Sequence, residues 1–199
     1  METAVLMPIK AFHAAKGRLA GWLPDDDRRR LAHFMAERVA RAASPFALFV
    51  ACDDDDVAAW AESIGAKVLW GPGLGLNGAI DQGIDMMAGK GVEHVIVCHG
   101  DLPLADSFAP LVRAGAITLV PDRRHDGTNV LARPCSVRLS ASYGAGSFRQ
   151  HLDAALATGL PVTVRDDRRL SIDIDTIDDC RHPLVAPLVR PFFGGVVPA

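Results

Sequence analysis

The sequence predicts a Rossmann-like α/β fold: a mixed, mostly parallel sheet flanked by helices. Three observations lead there. The first 120 residues alternate short apolar runs with amphipathic helical stretches, the rhythm of βαβ units. Several apolar runs end in acids or glycines, and the carboxyl ends of strands are where open α/β sheets place ligands. Further on, strands follow one another with a single helix between them, which predicts some antiparallel pairing.

Ala4–Met7 is the first strand. A helix follows over Asp25–Ala43, where Pro24 and the acidic run Asp25–Asp27 suit the positive N-terminal end. Leu31, Phe34, Met35, Val39 and Ala42 recur near helical spacing and form its apolar side. Phe46–Ala51 is the second strand, and the acids Asp53–Asp56 either open the next helix, Val57–Ser63, or serve a ligand. Lys67–Trp70 is the third strand. The glycine-rich loop Gly71-Pro72-Gly73-Leu74-Gly75-Leu76-Asn77 leads into a helix over Gly78–Ala88. Val92–Cys98 is the central buried strand, Phe108–Ala114 a short helix and Ile117–Val120 another strand. Val130–Arg133, Val162–Arg165 and Leu170–Ile174 are strands, with a helix over Ser147–Ala157 among them. The segment 182–199, rich in proline and glycine, is expected to wrap the surface or to make a subunit contact in a homodimer.

At 199 residues the chain suits a single domain with a substantial core. A net charge of −3 gives no electrostatic case for nucleic-acid binding. The four cysteines, at 52, 98, 135 and 180, include no Cys-x-x-Cys pair, and two of them end apolar strands. They read as buried thiols in a reducing compartment, which argues against zinc and for a cytoplasmic protein. No run approaches the roughly 18 apolar residues of a membrane span.

The strongest chemical signal is acid at strand ends. Residues 95–103 read Val-Ile-Val-Cys-His-Gly-Asp-Leu-Pro, and residues 171–179 read Ser-Ile-Asp-Ile-Asp-Thr-Ile-Asp-Asp. In a strand Asp173 and Asp175 project to one face, and Asp101 lies just past its own strand. Clustered carboxylates in a low-dielectric setting repel one another, and a hard divalent cation such as Mg2+ relieves that repulsion. Alternatively, Asp173 or Asp175 caps the helix that starts near Thr176.

A basic loop follows the first strand, Pro8-Ile9-Lys10-Ala11-Phe12-His13-Ala14-Ala15-Lys16-Gly17-Arg18-Leu19. Lys10, Lys16 and Arg18 suit a triphosphate, or form a solvated basic loop. The Gly-Lys-Ser/Thr of a Walker loop is absent. Asn77 either pairs with a base or ribose or caps the following helix. Thr128, in the turn Asp126-Gly127-Thr128-Asn129, and Ser147, after Gly144-Ala145-Gly146, offer neutral groups to an anion at a helix N-terminus. For Ser147 the alternative is an ordinary N-cap after a glycine turn, and Thr128 just upstream favours the anion site. His99 neighbours Asp101 and suits a supporting role better than a ligand's. The chain has no Gly-x-Ser-x-Gly elbow and no Cys–His signature.

Taken together these segments resemble the 2-phospho-L-lactate guanylyltransferase family of coenzyme F-420 biosynthesis. The resemblance runs through Pro8-x-Lys10, Ala15-Lys16-x-Arg18-Leu19, Gly75-Leu76-Asn77-x-Ala79, Asp101-Leu102-Pro103 and Pro121-Asp122-Arg123. It continues through Gly127-Thr128-Asn129, Gly144-x-Gly146-Ser147-Phe148-x-x-His151 and Asp173-Ile174-Asp175-Thr176 with Asp178. Gly17 departs from the small polar residue, often serine, expected there. The resemblance implies a three-layer, GT-A-like nucleotidyltransferase fold and transfer of GMP from GTP to 2-phospho-L-lactate, phosphoenolpyruvate or 3-phosphoglycerate. It implies Mg2+ held by Asp101, Asp173 and Asp175, triphosphate contacts from Lys10, Lys16 and Arg18, and an acceptor site at Thr128, Gly144 and Ser147. Asn77 goes to the nucleoside. Lys10, Lys16, Arg18 and Asp101 are the expected catalytic groups, and the product would pass to a downstream phospholactate transferase. The rivals are a molybdopterin cytidylyltransferase or a sugar-1-phosphate guanylyltransferase of the same fold, or a catalytically silent nucleotide-binding paralogue.

Overall fold

In the computed structural model, which describes residues 1–198, seven strands form one sheet. They are β1 (Thr3–Pro8), β2 (Ala47–Cys52), β3 (Lys67–Trp70), β4 (His94–Cys98), β5 (Ile117–Pro121), β6 (Thr128–Pro134) and β7 (Val162–Val164). Their order is β3-β2-β1-β4-β6-β5-β7. β1, β2, β3 and β4 pair parallel, β7 pairs parallel with β5, and β6 runs against both of its neighbours. The expected mixture is thus one antiparallel strand set into a parallel sheet.

The helices are α1 (Asp25–Ala42), α2 (Asp55–Ser63), α3 (Gly75–Ala88), α4 (Ser147–Ala157), α5 (Ile177–Arg181) and α6 (Ala186–Val189). The period-two alternation of β1 assigns them to faces. Val5 and Met7 pack with Ala36 and Val39 of α1 and Trp60 of α2. Ala4 and Leu6 point the other way, onto Ile80, Ile84 and Met87 of α3. α4 covers Leu119 and Leu131 of β5 and β6 through Ala155. The result is three layers, helices on both sides of the sheet.

Two expected elements differ. Leu170–Ile174 is a turn running into an extended segment outside the sheet. Its backbone groups are taken elsewhere: Ser171 N–H donates to the Asp167 carbonyl at 2.9 Å and Ile174 N–H to the Asp101 carbonyl at 3.2 Å. The alternation still acts, because Ile172 and Ile174 are buried against α1 and the C-terminal elements. The helix expected over Phe108–Ala114 is a single 3-10 turn, Ala109–Leu111, with Pro110 in it and Val112 extended at its end.

Boundaries shift modestly elsewhere. α3 starts at Gly75, so Asn77 lies in its first turn. Thr128 and Asn129 belong to β6 instead of the preceding turn. The C-terminal segment forms α6 and a 3-10 turn, Arg190–Phe193, and lies against α1, where the Phe192 and Phe34 rings meet tilted, with centroids 5.6 Å apart.

Candidate active site

β1, β2, β3 and β4 all finish at one edge of the sheet, and antiparallel β6 begins there. The loop between β1 and α1 folds over this edge and roofs a cavity of about 300 Å3, lined by Lys10, Lys16, His99 and Asp101 among others. Lys16 stands in a left-handed conformation, φ 57°, at the start of a 3-10 turn over Gly17–Leu19. That backbone turns its side chain inward, where it is 8% exposed.

The Lys16 ammonium bridges the acids, 2.6 Å from Asp101 Oδ2 and 3.2 Å from Asp175 Oδ1. Arg18 adds a bond of 3.2 Å to Asp175 Oδ2 from an exposed position. Burial by itself would lower the Lys16 pKa, but Asp101 and then Asp175 outweigh it and hold the ammonium above the ordinary lysine range. Burial would likewise raise Asp101, yet attraction from Lys16 and then His99 keeps it below the usual carboxylate range.

Asp173 has no such partner. Burial, then repulsion from Asp101, pushes its pKa up to about 6. Its one side-chain bond is from Asn129 Nδ2 at 3.5 Å, and the same amide donates to the Leu170 carbonyl at 3.0 Å. Asp101 Oδ1 and His99 Nε2 are buried without hydrogen-bond partners. The carboxylate repulsion is real, but Lys16 relieves it in this structure. Among the described residues, no three His, Cys, Asp or Glu side chains gather into a ready-made metal cage.

The expected acceptor residues meet in a second, neutral cluster. Thr128 N–H donates to Ser147 Oγ at 3.1 Å. His151 Nε2 accepts from Ser142 N–H at 3.0 Å, so Nδ1 carries the proton and donates to Thr128 Oγ1, also at 3.0 Å. Burial lowers the His151 pKa to about 4, which keeps the ring neutral.

Ser147 is therefore neither N-cap nor open helix terminus. Gly146 caps α4. Asp126 already occupies the helix end, its carboxylate accepting from Gly146 N–H at 3.2 Å and its carbonyl from Phe148 N–H at 2.9 Å. Thr128 and Ser147 are buried, whereas Gly144, at φ 140°, is exposed.

Asn77 is no helix cap, since it lies in the first turn of α3. Its Nδ2 donates to the Tyr143 carbonyl at 3.2 Å and its Oδ1 accepts from Tyr143 N–H at 2.7 Å. Both ends of the amide fix the turn before Gly144, and each keeps a second hydrogen-bonding position.

Asp179 was missed. It is 1% exposed and accepts from Asp175 N–H at 3.0 Å, from Thr176 N–H and Oγ1–H at 2.8 Å each, and from Arg124 at 3.1 Å and Arg123. It thereby orients the Asp173–Asp175 segment. The signal was available, because Thr176 and Asp179 have capping-box spacing.

The architecture is a three-layer mixed sheet with cations folded over acids at its carboxyl edge. The fold is that of a protein of Desulfovibrio desulfuricans described as a nucleotide-diphospho-sugar transferase, at a TM-score of 0.71, 15% identity, and coverage of 96% of this chain and 98% of that one. A 4-diphosphocytidyl-2C-methyl-D-erythritol synthase of Anaerococcus prevotii is similar at a TM-score of 0.59 and 12% identity, over 94% of this chain and 99% of that one.

The chain belongs to the guanylyl transferase CofC-like family, whose model matches residues 3–185. It is 34% identical to a phosphoenolpyruvate guanylyltransferase of Sphaerobacter thermophilus, over 90% of this chain and 91% of the relative. It is also 34% identical to a 2-phospho-L-lactate guanylyltransferase of Methanothermobacter thermautotrophicus, over 90% and 82%. The protein is a guanylyltransferase. No helix among the described residues is long and apolar enough to cross a membrane.

Proposed function

We propose that the protein transfers GMP from GTP to a phosphorylated three-carbon acid in coenzyme F-420 biosynthesis. The observation that carries this reading is Lys16, which reaches from the basic loop to Asp101 and Asp175 across the cavity at the strand ends. The names of the relatives supply the acceptor: 2-phospho-L-lactate or phosphoenolpyruvate, with 3-phosphoglycerate as the third candidate.

A phosphate monoester has a second pKa near 6, so the acceptor is a nucleophilic dianion at neutral pH. Its oxygen bonds to the α-phosphorus of GTP while the bond to pyrophosphate breaks, and no side chain has to remove a proton. The obstacles are repulsion between two anions and charge gathering on the leaving group. Lys10, Lys16 and Arg18 meet both. The exposed Gly144 turn receives the acceptor, and Thr128 and Ser147 fix that turn from beneath.

The donors are of the kind Mg2+ takes, oxygen alone, and one of them, a buried Asp101 oxygen, has no hydrogen-bond partner. Asp101, Asp173 and Asp175 would hold the ion, which lowers the charge on the triphosphate. Lys16, which holds both Asp101 and Asp175 here, would then be available to phosphate oxygens.

The test is pyrophosphate release from GTP and Mg2+ with each of the three acids, coupled to the downstream transferase and its deazaflavin acceptor. Turnover with one acid is expected. Release with none of them, or with CTP preferred over GTP, rejects the reading.

A further inference from the structure

A second cavity, of about 230 Å3, opens beside the first at the ends of β1 and β2 and the start of α3. The two share Pro8, Ile9, Lys10 and Leu76, so Lys10 stands at their junction. With phosphates on the Lys16 side, the base of the nucleotide falls in this second space. Its walls are largely apolar, and its charged residues are Lys10 and Asp53.

Asp53 is set apart from the acids that follow it. Asp54 caps α2 by accepting from Val57 N–H at 3.1 Å. Asp56 pairs with Arg29 at 3.1 Å, and Asp55 lies within the first turn of α2. Asp53 precedes the cap, lines the cavity and makes no hydrogen bond or ion pair among the described residues. Nearby backbone acceptors are engaged: the Cys52 carbonyl takes Gly71 N–H at 3.1 Å and the Ala51 carbonyl takes Ile9 N–H at 2.9 Å.

We propose that Asp53 is the guanine-reading residue, its two carboxylate oxygens accepting from N1–H and the 2-amino group of the base. This rests on the guanylyltransferase reading and names the group that gives it base specificity. The match is chemical. An ionised carboxylate is an acceptor on both oxygens, and only guanine among the common bases offers two adjacent donors on that edge. Adenine and cytosine turn lone pairs toward the carboxylate, and uracil offers one N–H between two carbonyls.

Equilibrium binding of GTP, ITP, XTP and ATP to the full chain, by calorimetry with Mg2+ present, tests this without an acceptor acid. Hypoxanthine lacks the 2-amino group, and the wild type should bind ITP about tenfold or more weaker than GTP. Asp53→Ala should weaken GTP and bring the GTP-to-ITP ratio close to one. Asp53→Asn should bind XTP at least about tenfold tighter than the wild type does, since its amide donates to the xanthine O2 while its oxygen still accepts from N1–H. A variant that had merely lost structure would not gain a ligand. A GTP-preferring wild type whose ratio is unchanged in Asp53→Ala, or an Asp53→Asn variant without the XTP gain, overturns the assignment of Asp53 alone. A wild type that binds none of the four, or binds ATP as well as GTP, overturns the guanylyltransferase reading itself.

Discussion

The Lys16 ammonium lies 2.6 Å from Asp101 Oδ2, a contact made across 85 residues of sequence. Lys16 supplies positive charge where burial makes an unpaired carboxylate expensive. The left-handed backbone that aims it inward costs roughly 1 kcal/mol for a residue with a Cβ.

Lys16→Met should lower stability by about 3 kcal/mol in denaturant titrations with EDTA, because removing one partner strands a buried charge. Mg2+ should recover more stability in this variant than in the wild type. A variant as stable as the wild type without metal would show that Asp101 is solvated well enough to need no partner.

Asp101→Asn and Asp173→Asn should both nearly abolish turnover, each losing several kcal/mol of transition-state stabilisation with the proposed metal ligand. Their stabilities should move in opposite directions. Asp101→Asn removes a carboxylate that Lys16 holds in its charged form. Asp173→Asn removes one whose charge is opposed by burial and by Asp101. Thermal melts in EDTA at pH 7.5 should show a lower midpoint for the first and a higher one for the second. Near-normal Mg2+-dependent rates in both would end the metal assignment.

The Asp173 shift also has a pH signature. Its carboxyl titrates near 4 when unfolded and at about 6 in the fold, so the native state binds that proton more tightly. The resulting stability is fully present below about pH 4 and is lost as pH rises through 6. His151 acts oppositely. Its ring titrates near 6.5 unfolded and at about 4 folded, so its contribution is present above about pH 6.5 and is lost as pH falls toward 4. Melts of Asp173→Asn and a His151→Leu variant across this range should therefore deviate from the wild type with slopes of opposite sign.

Ser147→Ala should raise KM for the three-carbon acid several-fold and leave KM for GTP nearly unchanged, since Ser147 Oγ holds Thr128 N–H beneath the Gly144 turn. His151→Leu should show the same split. A larger change in KM for GTP than for the acid would move the acceptor site elsewhere.

Arg133 is 4% exposed and donates to the carbonyls of Pro134, Val137 and Leu139 at 3.1, 2.7 and 3.1 Å. It fixes the chain that leads to the Gly144 turn. Arg133→Met should cost about 3 kcal/mol in chemical denaturation, because the stranded carbonyls cost about 1–3 kcal/mol each. A loss under about 1 kcal/mol would mean that water replaces the guanidinium.

Much of this protein is legible in the sequence, because the signals are local. Helices and strands follow from spacings of two, three and four residues, so α1, β3 and α4 lie at or near their expected bounds. The short motifs carried the family, and the ends of apolar runs marked the edge where Asp101 and the basic loop meet. Partners decided the rest. Ser147 looks like a cap until Asp126 takes the helix end, Asn77 looks free until Tyr143 engages both ends of its amide, and Leu170–Ile174 looks like a strand until its N–H groups bond outside any ladder. Nothing within a few residues of Asp101 announces that Lys16 neutralises it, or that Asp53 stands apart from its neighbouring acids. Charge pairing depends on distance through space and on desolvation, and both come into being only when the sheet brings its strand ends together.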